Sequence, residues 1–209
     1  ALETAMRLNP GDARAPYYLG NFWYAHRRYQ EAIARWEQSR GLDDTYPTIH
    51  RNLGLAYFNK LGDAVRASVS YERAFTLDPT DARVFYELDQ LDRRLNRDPA
   101  QRLARLEHHA DLVERRDDLT IEHISLLNLF GRHDEALAIL LGRIFHPWEG
   151  GEGKVTGQYV LTLVEQAKAL IREGASREAI ERLERAIEAL VQRGQRIDVA
   201  PDRRKKPGA

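Results

Sequence analysis

The seven histidines are the residues of this chain most suited to bind a metal ion or to act in acid–base catalysis. His108 and His109 are adjacent, so on a helix their side chains diverge by about 100°. His108 and Asp111 are three residues apart and would share a helix face, but no third ligand is evident beside them. Neither a His-Glu-x-x-His nor a Gly-x-Ser-x-Gly motif occurs. We therefore predict no metal site, no cofactor and no catalytic residue, and we interpret the chain as non-enzymatic.

A second group of polar and aromatic residues lies in Phe145–Lys154, a segment with three glycines and one tryptophan. Trp148 could stack on a sugar ring or anchor in a neighbouring domain, and flanking carboxylates could accept hydrogen bonds from sugar hydroxyls. The alternative is that Trp148 caps the local hydrophobic core and the glycines only allow a turn. No Gly-Lys-Ser/Thr is present, so this is not a phosphate-binding loop. The loop candidates are His146, Trp148, Glu149 and Glu152.

Composition excludes several classes of partner. The 209 residues contain 32 Lys+Arg, 32 Asp+Glu and no Cys, so bulk charge gives no support for a nucleic-acid partner. The longest apolar run near a helix end, Ala136–Leu141, is far shorter than the roughly 20 residues of a membrane-spanning helix. We predict no membrane partner and no disulfide, and we expect a cytoplasmic location.

Internal repetition defines the elements that must position these residues. Leu8–Arg14 reads LNPGDAR, and Leu77–Arg83 reads LDPTDAR with five of the seven residues identical. Between them, the Leu-Gly pair at 19–20 returns 34 positions later at 53–54. A period of this length indicates stacked helix–turn–helix units, because neither helix of a pair can bury its apolar face alone.

This period resembles the tetratricopeptide repeat, whose pattern is aromatic, Leu-Gly, aromatic, Ala, aromatic, Ala and Pro. The matching residues are Leu19, Gly20, Trp23, Tyr29, Ala32 and Trp36 in the first full repeat, and Leu53, Gly54, Tyr57, Ala67, Tyr71, Ala74 and Pro79 in the second. The resemblance implies an all-α solenoid of about five helix–turn–helix pairs in a right-handed superhelix. Gly20 and Gly54 should let the first helix of each pair approach the second closely.

We expect six segments along the chain. Residues 99–116 read as one degenerate helix, since Gln101 and Arg105 replace the expected Ala and aromatic residue. The first segment suggests that the chain begins within a repeat. The segments are the end of a preceding repeat helix (1–9), regular repeats (10–98), the degenerate helix plus a further repeat (99–144), the Gly/Trp loop (145–156), the last helix pair (157–193) and a basic, disordered tail (194–209).

The first helices of stacked repeats line a concave groove, which is the default binding site. Its candidate residues are Tyr17, Asn21, Tyr24, Asn52, Leu55, Arg83 and Glu87. One tetratricopeptide subclass holds a C-terminal carboxylate with Lys, Asn, Asn, Lys and Arg. Asn21, Asn52 and Arg83 match that pattern, whereas Tyr17 and Glu87 depart from it, and Glu87 places a negative charge where the carboxylate would lie. A carboxylate clamp, another extended peptide, and a groove that packs only against its own protein remain as alternatives.

A second resemblance concerns the segment RRDDLTIEHISLLNLFGRHDEAL and the following FHPWEGGEGKV. It resembles the helical tail of large bacterial proteins in which tetratricopeptide-like repeats follow a β-rich, mutarotase-like domain. The resemblance implies that the chain is the C-terminal helical portion of such a protein.

Our main interpretation is a non-catalytic protein–protein interaction or scaffolding module. Its partner would be a protein or peptide in the groove, or another domain of the same protein. The alternative is an accessory helical domain of a carbohydrate-active enzyme, with carbohydrate bound through the parent protein. Self-association through an exposed helix edge is a third hypothesis.

Overall fold

The computed structural model describes residues 1–146 and 152–198, which form twelve α-helices and no strand. The prediction of an all-α chain is confirmed for these residues. A π-helical turn, Tyr57–Leu61, continues the fourth helix. The helices are α1 Leu2–Leu8, α2 Arg14–Ala25, α3 Tyr29–Leu42, α4 Pro47–Ala56, α5 Ala64–Leu77, α6 Ala82–Arg94, α7 Pro99–His108, α8 Ala110–Glu114, α9 Asp117–Leu129, α10 His133–Gly142, α11 Glu152–Arg172 and α12 Ser176–Asp198.

The chain folds as two compact units, Ala1–Arg102 and a second unit that begins at Leu103. In the first unit, small residues bring paired helices together as the sequence predicts. A Cβ atom on Gly20 would lie only 2.5 Å from Cδ1 of Trp36, and one on Gly54 only 2.8 Å from Cδ2 of Tyr71. Both aromatic rings therefore rest directly on the backbone of the preceding helix, where no larger residue fits.

Aspartates define where two helices of the first unit begin. The Asp63 carboxylate accepts a hydrogen bond from the Arg66 backbone N–H at 2.9 Å, before α5. The Asp81 carboxylate accepts from the N–H groups of Arg83 and Val84 at 2.8 and 3.1 Å, before α6. These N-caps satisfy backbone donors that the helix itself leaves unpaired, so they fix the start of α6 and hence the placement of its groove-side residues.

The third repeat replaces the Leu-Gly glycine with Asp89, which is fully buried. Asp89 accepts hydrogen bonds from Arg102 Nε at 3.0 Å and Nη2 at 2.7 Å, so a bidentate ion pair joins α6 to α7 where glycine joins the earlier pairs. The predicted single helix over 99–116 is wrong. It is two helices, α7 and α8, which separate at His109, where the backbone leaves the helical region with φ −111° and ψ 44°.

In the second unit, a buried polar junction joins three helices. The Asn128 amide of α9 and the Thr162 hydroxyl of α11 exchange hydrogen bonds of 2.9 and 3.1 Å, and His133 Nδ1 of α10 lies 3.1 Å from Asn128 Oδ1. The last pair is longer than the expected 157–193, since α11 begins at Glu152 and α12 continues to Asp198. None of the described helices is long and apolar enough to cross a membrane.

Candidate functional site

Three alternate helices of the first unit, α2, α4 and α6, present their side chains on one face. Two contacts show that they are neighbours: Asn52 Nδ2 donates to Asn21 Oδ1 at 3.4 Å, and Arg51 forms an ion pair with Glu87. The Asn21 amide oxygen also accepts from Trp36 Nε1 at 3.0 Å, which holds its side chain in place. We call this the groove face; its residues are Tyr17, Asn21, Arg51, Asn52, Leu55, Arg83 and Glu87.

The centre of the groove face is an ion-pair cluster around Glu87. Arg51 Nε donates to Glu87 Oε2 at 2.8 Å, Arg51 Nη2 contacts Glu87 Oε1, and Arg83 Nε lies 3.2 Å from Oε1. The side chains of Arg51 and Glu87 are each 17% exposed, whereas that of Arg83 is 63% exposed. Burial acts to lower the pKa of Arg51, but the hydrogen bonds and the negative charge of Glu87 outweigh it and raise that pKa.

This cluster changes the interpretation of Glu87. Its carboxylate does not stand uncompensated in the groove, because Arg51 and Arg83 already hold it. Arg51 was not among the residues that the sequence pattern singled out. The carboxylate-binding pattern does not include position 51. The one feature of the sequence that could have pointed to Arg51 is that it immediately precedes Asn52 on the same helix.

Beside the cluster, a cleft of about 230 Å³ opens between α4 and α6. Its apolar lining includes Leu55 and Phe58, and the Arg94 guanidinium stands 5.5 Å from the Phe58 ring centroid. Amide and hydroxyl groups of Asn59, Gln90 and Tyr86 are also part of the lining. Glu87 and Arg94 also line the cleft, so its lining is both apolar and polar, which suits one side chain of a bound peptide.

Two tyrosines of the predicted site have different surroundings. The Tyr24 ring packs 5.2 Å from Tyr29 and 5.3 Å from Trp36, so it mainly supports the core. Tyr17 lies at the opposite end of the face, where Tyr18 and Tyr46 approach its ring at 5.2 and 5.3 Å. Burial raises the pKa of Tyr17, so its hydroxyl keeps its proton at neutral pH.

The loop candidates are brought together only in part. His146 donates its backbone N–H to Asp117 Oδ2 at 2.5 Å, and its Nδ1 lies 3.1 Å from the same oxygen. Arg143 Nη2 reaches Asp117 Oδ1 at 2.6 Å. Trp148 and Glu149 lie outside the described residues, and for Glu152 only the backbone, at the start of α11, is described. The described residues contain no group of three or more His, Asp or Glu side chains that could hold a metal ion.

Burial works to raise the pKa of Asp117, whose side chain is 0% exposed. The His146 backbone and Arg143 hydrogen bonds overcome that effect and hold the pKa below its ordinary value. Asp117 is therefore ionised at neutral pH and anchors Arg143, just before the Gly/Trp loop, and His146, near the start of that loop.

No protein-family model matches the sequence. Among solved structures, the chain is similar to YrrB, a TPR protein with an unusual peptide-binding site, with a TM-score of 0.63 and 21% identity over 90% of this chain and 92% of that one. It is similar to pilF of Pseudomonas aeruginosa with a TM-score of 0.59 and 17% identity over 93% and 86% of the two chains. It is also similar to MamA 41-end from Desulfovibrio magneticus RS-1, with a TM-score of 0.56 and 13% identity over 88% of this chain and 97% of that one. The chain has the tetratricopeptide-repeat fold.

On the tetratricopeptide fold, α2, α4 and α6 are the first helices of three successive repeats. The groove-face residues therefore occupy the side of the first unit on which repeats of this type form a common surface. The predicted positions Asn21, Asn52, Leu55, Arg83 and Glu87 all lie on these helices.

Proposed function

We propose that this chain is a non-catalytic protein-interaction module that binds an extended peptide along the groove face. The observation that carries the proposal is the placement of the Asn21 and Asn52 amides on adjacent first helices, next to the cleft at Leu55. A solved protein of the same fold, YrrB, has a peptide-binding site, which supports this class of partner.

Asparagine suits an extended peptide because its amide offers both a donor and an acceptor, as a peptide bond does. The Asn52 side chain has one hydrogen bond within the described residues, and at 3.4 Å that bond is long. Most of its hydrogen-bonding capacity therefore remains for a ligand backbone. Trp36 holds the Asn21 amide in a fixed orientation, which lowers the entropy lost on binding.

The ion-pair cluster favours an internal peptide segment over a C-terminal carboxylate. A ligand carboxylate would have to compete with Glu87 for Arg51, and the two carboxylates would repel each other at short range. The groove therefore departs from the carboxylate clamp at the point where that clamp needs unpaired cations.

The partner is a separate protein or another domain of the same protein, and membership of a larger bacterial protein remains part of this proposal. Nothing in the described residues favours the carbohydrate alternative, since its central side chains, Trp148 and Glu149, lie outside them. Self-association is an outcome that the experiment below would also reveal.

The test is selection of a random peptide library on the full chain, followed by calorimetry on the selected peptides. Asn52→Ala and Leu55→Ala should each weaken binding by about tenfold, which corresponds to about 1.4 kcal/mol. Val69→Ala is the matched control, because Val69 lies on α5, is 62% exposed and does not line the cleft at Leu55. Peptides that bind all three variants as tightly as the unmodified chain would overturn the groove assignment. Light scattering during the same experiment reports self-association.

A further inference from the structure

The end of the groove face near the start of α2 carries a cleft of about 340 Å³. We call it the tyrosine cleft, after Tyr17, Tyr18 and Tyr46, which line it together with Arg14 and Asp43. Tyr17 lies between the other two, and both meet its ring edge-on, with interplanar angles of 63° and 73°. Tyr18 and Tyr46 are 56% and 43% exposed, so two aromatic walls are open to solvent around a partly buried third ring.

The polar rim of the tyrosine cleft has a defined charge. Asp43 Oδ1 accepts hydrogen bonds from the Thr45 backbone N–H at 2.9 Å and from its hydroxyl at 2.6 Å. The same two bonds lower the pKa of Asp43, so the carboxylate is charged at neutral pH. The neighbouring Arg14 is paired with Asp12 through two contacts of 2.8 and 2.9 Å. Asp43 is thus a negative charge that a ligand cation can meet, and Arg14, the other charged residue of the lining, is ion-paired with Asp12.

We propose that the tyrosine cleft binds a proline-containing extended segment that carries a Lys or Arg beside the proline. This inference rests on the proposed function, because the segment would be part of the peptide in the groove. At this end of the groove face, proline rings of the peptide would pack against the tyrosines, and its Lys or Arg would pair with Asp43.

Two physical reasons support this ligand. Aromatic walls set edge-on to a central ring form ridges and slots in which proline rings pack, and such aromatic-lined grooves are the usual receptors for polyproline II segments. A polyproline II segment is already extended and has no internal hydrogen bonds, so it loses little conformational entropy on binding, and its carbonyl oxygens can accept from tyrosine hydroxyls. Tyrosine also supplies large contact area with few rotatable bonds, which makes it a common centre of binding energy.

The experiment titrates three blocked octapeptides into the full chain by calorimetry. The first probe is rich in proline and contains one Lys and one Arg, each beside a proline. The second probe has Glu in place of the Lys and the Arg. The third probe keeps the Lys and the Arg and has Gly or Ser in place of every proline. The basic proline probe should bind at least about tenfold more tightly than either of the others. Equal binding of all three probes, or none by the first, would overturn the proposal.

Matched variants locate the binding. Tyr18→Ala and Tyr46→Ala should each weaken binding of the basic proline probe by about tenfold, whereas Phe22→Ala, which removes a 46% exposed ring of α2 outside the cleft, should not. Asp43→Asn keeps the acceptor for Thr45 and removes the charge, so it should abolish the preference over the Glu probe. Circular dichroism confirms that each variant is folded, and Tyr46→Phe gives a conservative second test of that position.

This result is distinguishable from failure of the proposed function. If library peptides depend on Asn52 and Leu55 but contain no proline and ignore Tyr18 and Tyr46, the groove binds peptides and the tyrosine-cleft assignment is wrong. If the basic proline probe binds unchanged to the Tyr18 and Tyr46 variants, it binds elsewhere, which also refutes the assignment.

Discussion

Glu87→Ala removes the carboxylate at the centre of the groove face and leaves Arg51 with its charge in a mostly buried position. Exposed ion pairs contribute about 0.2–1 kcal/mol, whereas breaking a fully buried pair by removing one partner costs about 3–5 kcal/mol. Arg51 and Glu87 are each 17% exposed and share two contacts, so the pair lies between these limits. We expect Glu87→Ala to lower the free energy of unfolding of the first unit by about 2 kcal/mol.

The assay is urea unfolding followed by tryptophan fluorescence in a Trp148→Phe background. In that background the remaining tryptophans, Trp23 and Trp36, both lie in the first unit and report its unfolding alone. A double-mutant cycle of Glu87→Ala with Arg51→Ala isolates the interaction between the two residues. We expect a coupling energy of about 1–2 kcal/mol, because the double variant no longer buries an unpaired charge.

Two controls separate this effect from general loss of surface charge. Glu72→Ala removes an exposed glutamate of α5 and should change stability by less than about 0.5 kcal/mol. Arg83→Ala removes the 63% exposed partner of Glu87 and should cost less than about 1 kcal/mol. If Glu87→Ala is no more destabilising than Glu72→Ala, or if the coupling energy is near zero, Glu87 and Arg51 do not form the structural pair described above.

Three further predictions concern packing and pH. Gly20→Ala should destabilise the first unit by about 1–3 kcal/mol because the added Cβ would clash with Trp36, whereas Gly41→Ala, with no atom within 4 Å of its Cβ, should be neutral or slightly stabilising; urea unfolding measures both. Burial lowers the pKa of His123 below its ordinary 6.5, so the unfolded state binds a proton more readily than the folded state does. The stability of the protein should therefore fall as the pH drops below about 6.5. His123→Leu should make the thermal unfolding midpoint depend less on pH between about pH 7 and 5. The pKa of Asp117 is held below 3.8, so the ionised carboxylate stabilises the folded state above that pH and this stabilisation is lost in acid. Asp117→Asn should therefore destabilise the second unit by about 2 kcal/mol at pH 7. The difference in stability between the variant and the unmodified chain should shrink below pH 3.8.

The repeat architecture was predictable because small and large residues recur at fixed positions of each repeat. Gly20 and Gly54 recur where two helices touch, and Trp36 and Tyr71 recur where a ring must fill the space beside them. Such steric demands are local and periodic, so a single sequence reveals them. The buried Asp89–Arg102 pair is a non-periodic solution to the same packing problem. Neither residue of this pair belongs to the periodic pattern, so the sequence alone did not reveal the contact between α6 and α7.

Element boundaries and the electrostatics of the site were less predictable. The break at His109 has no proline or glycine to mark it, so periodicity alone predicted one continuous helix. The partner of Glu87, Arg51, is 36 residues away in sequence and on a different repeat, which only the stacking of α4 and α6 reveals. Tyr46 likewise precedes α4 in a connecting segment, so its contact with Tyr17 follows from tertiary packing rather than from helical spacing.

Nuclear magnetic resonance mapping on the isotope-labelled full chain tests whether the groove face of the first unit binds a peptide. A peptide selected on the chain is titrated in, and amide and side-chain shifts are followed. We expect the largest shifts for the side-chain amides of Asn21 and Asn52 and for the methyl groups of Leu55, with little change along α5 at Val69. Shifts confined to the second unit, or to the α5 surface, would contradict it.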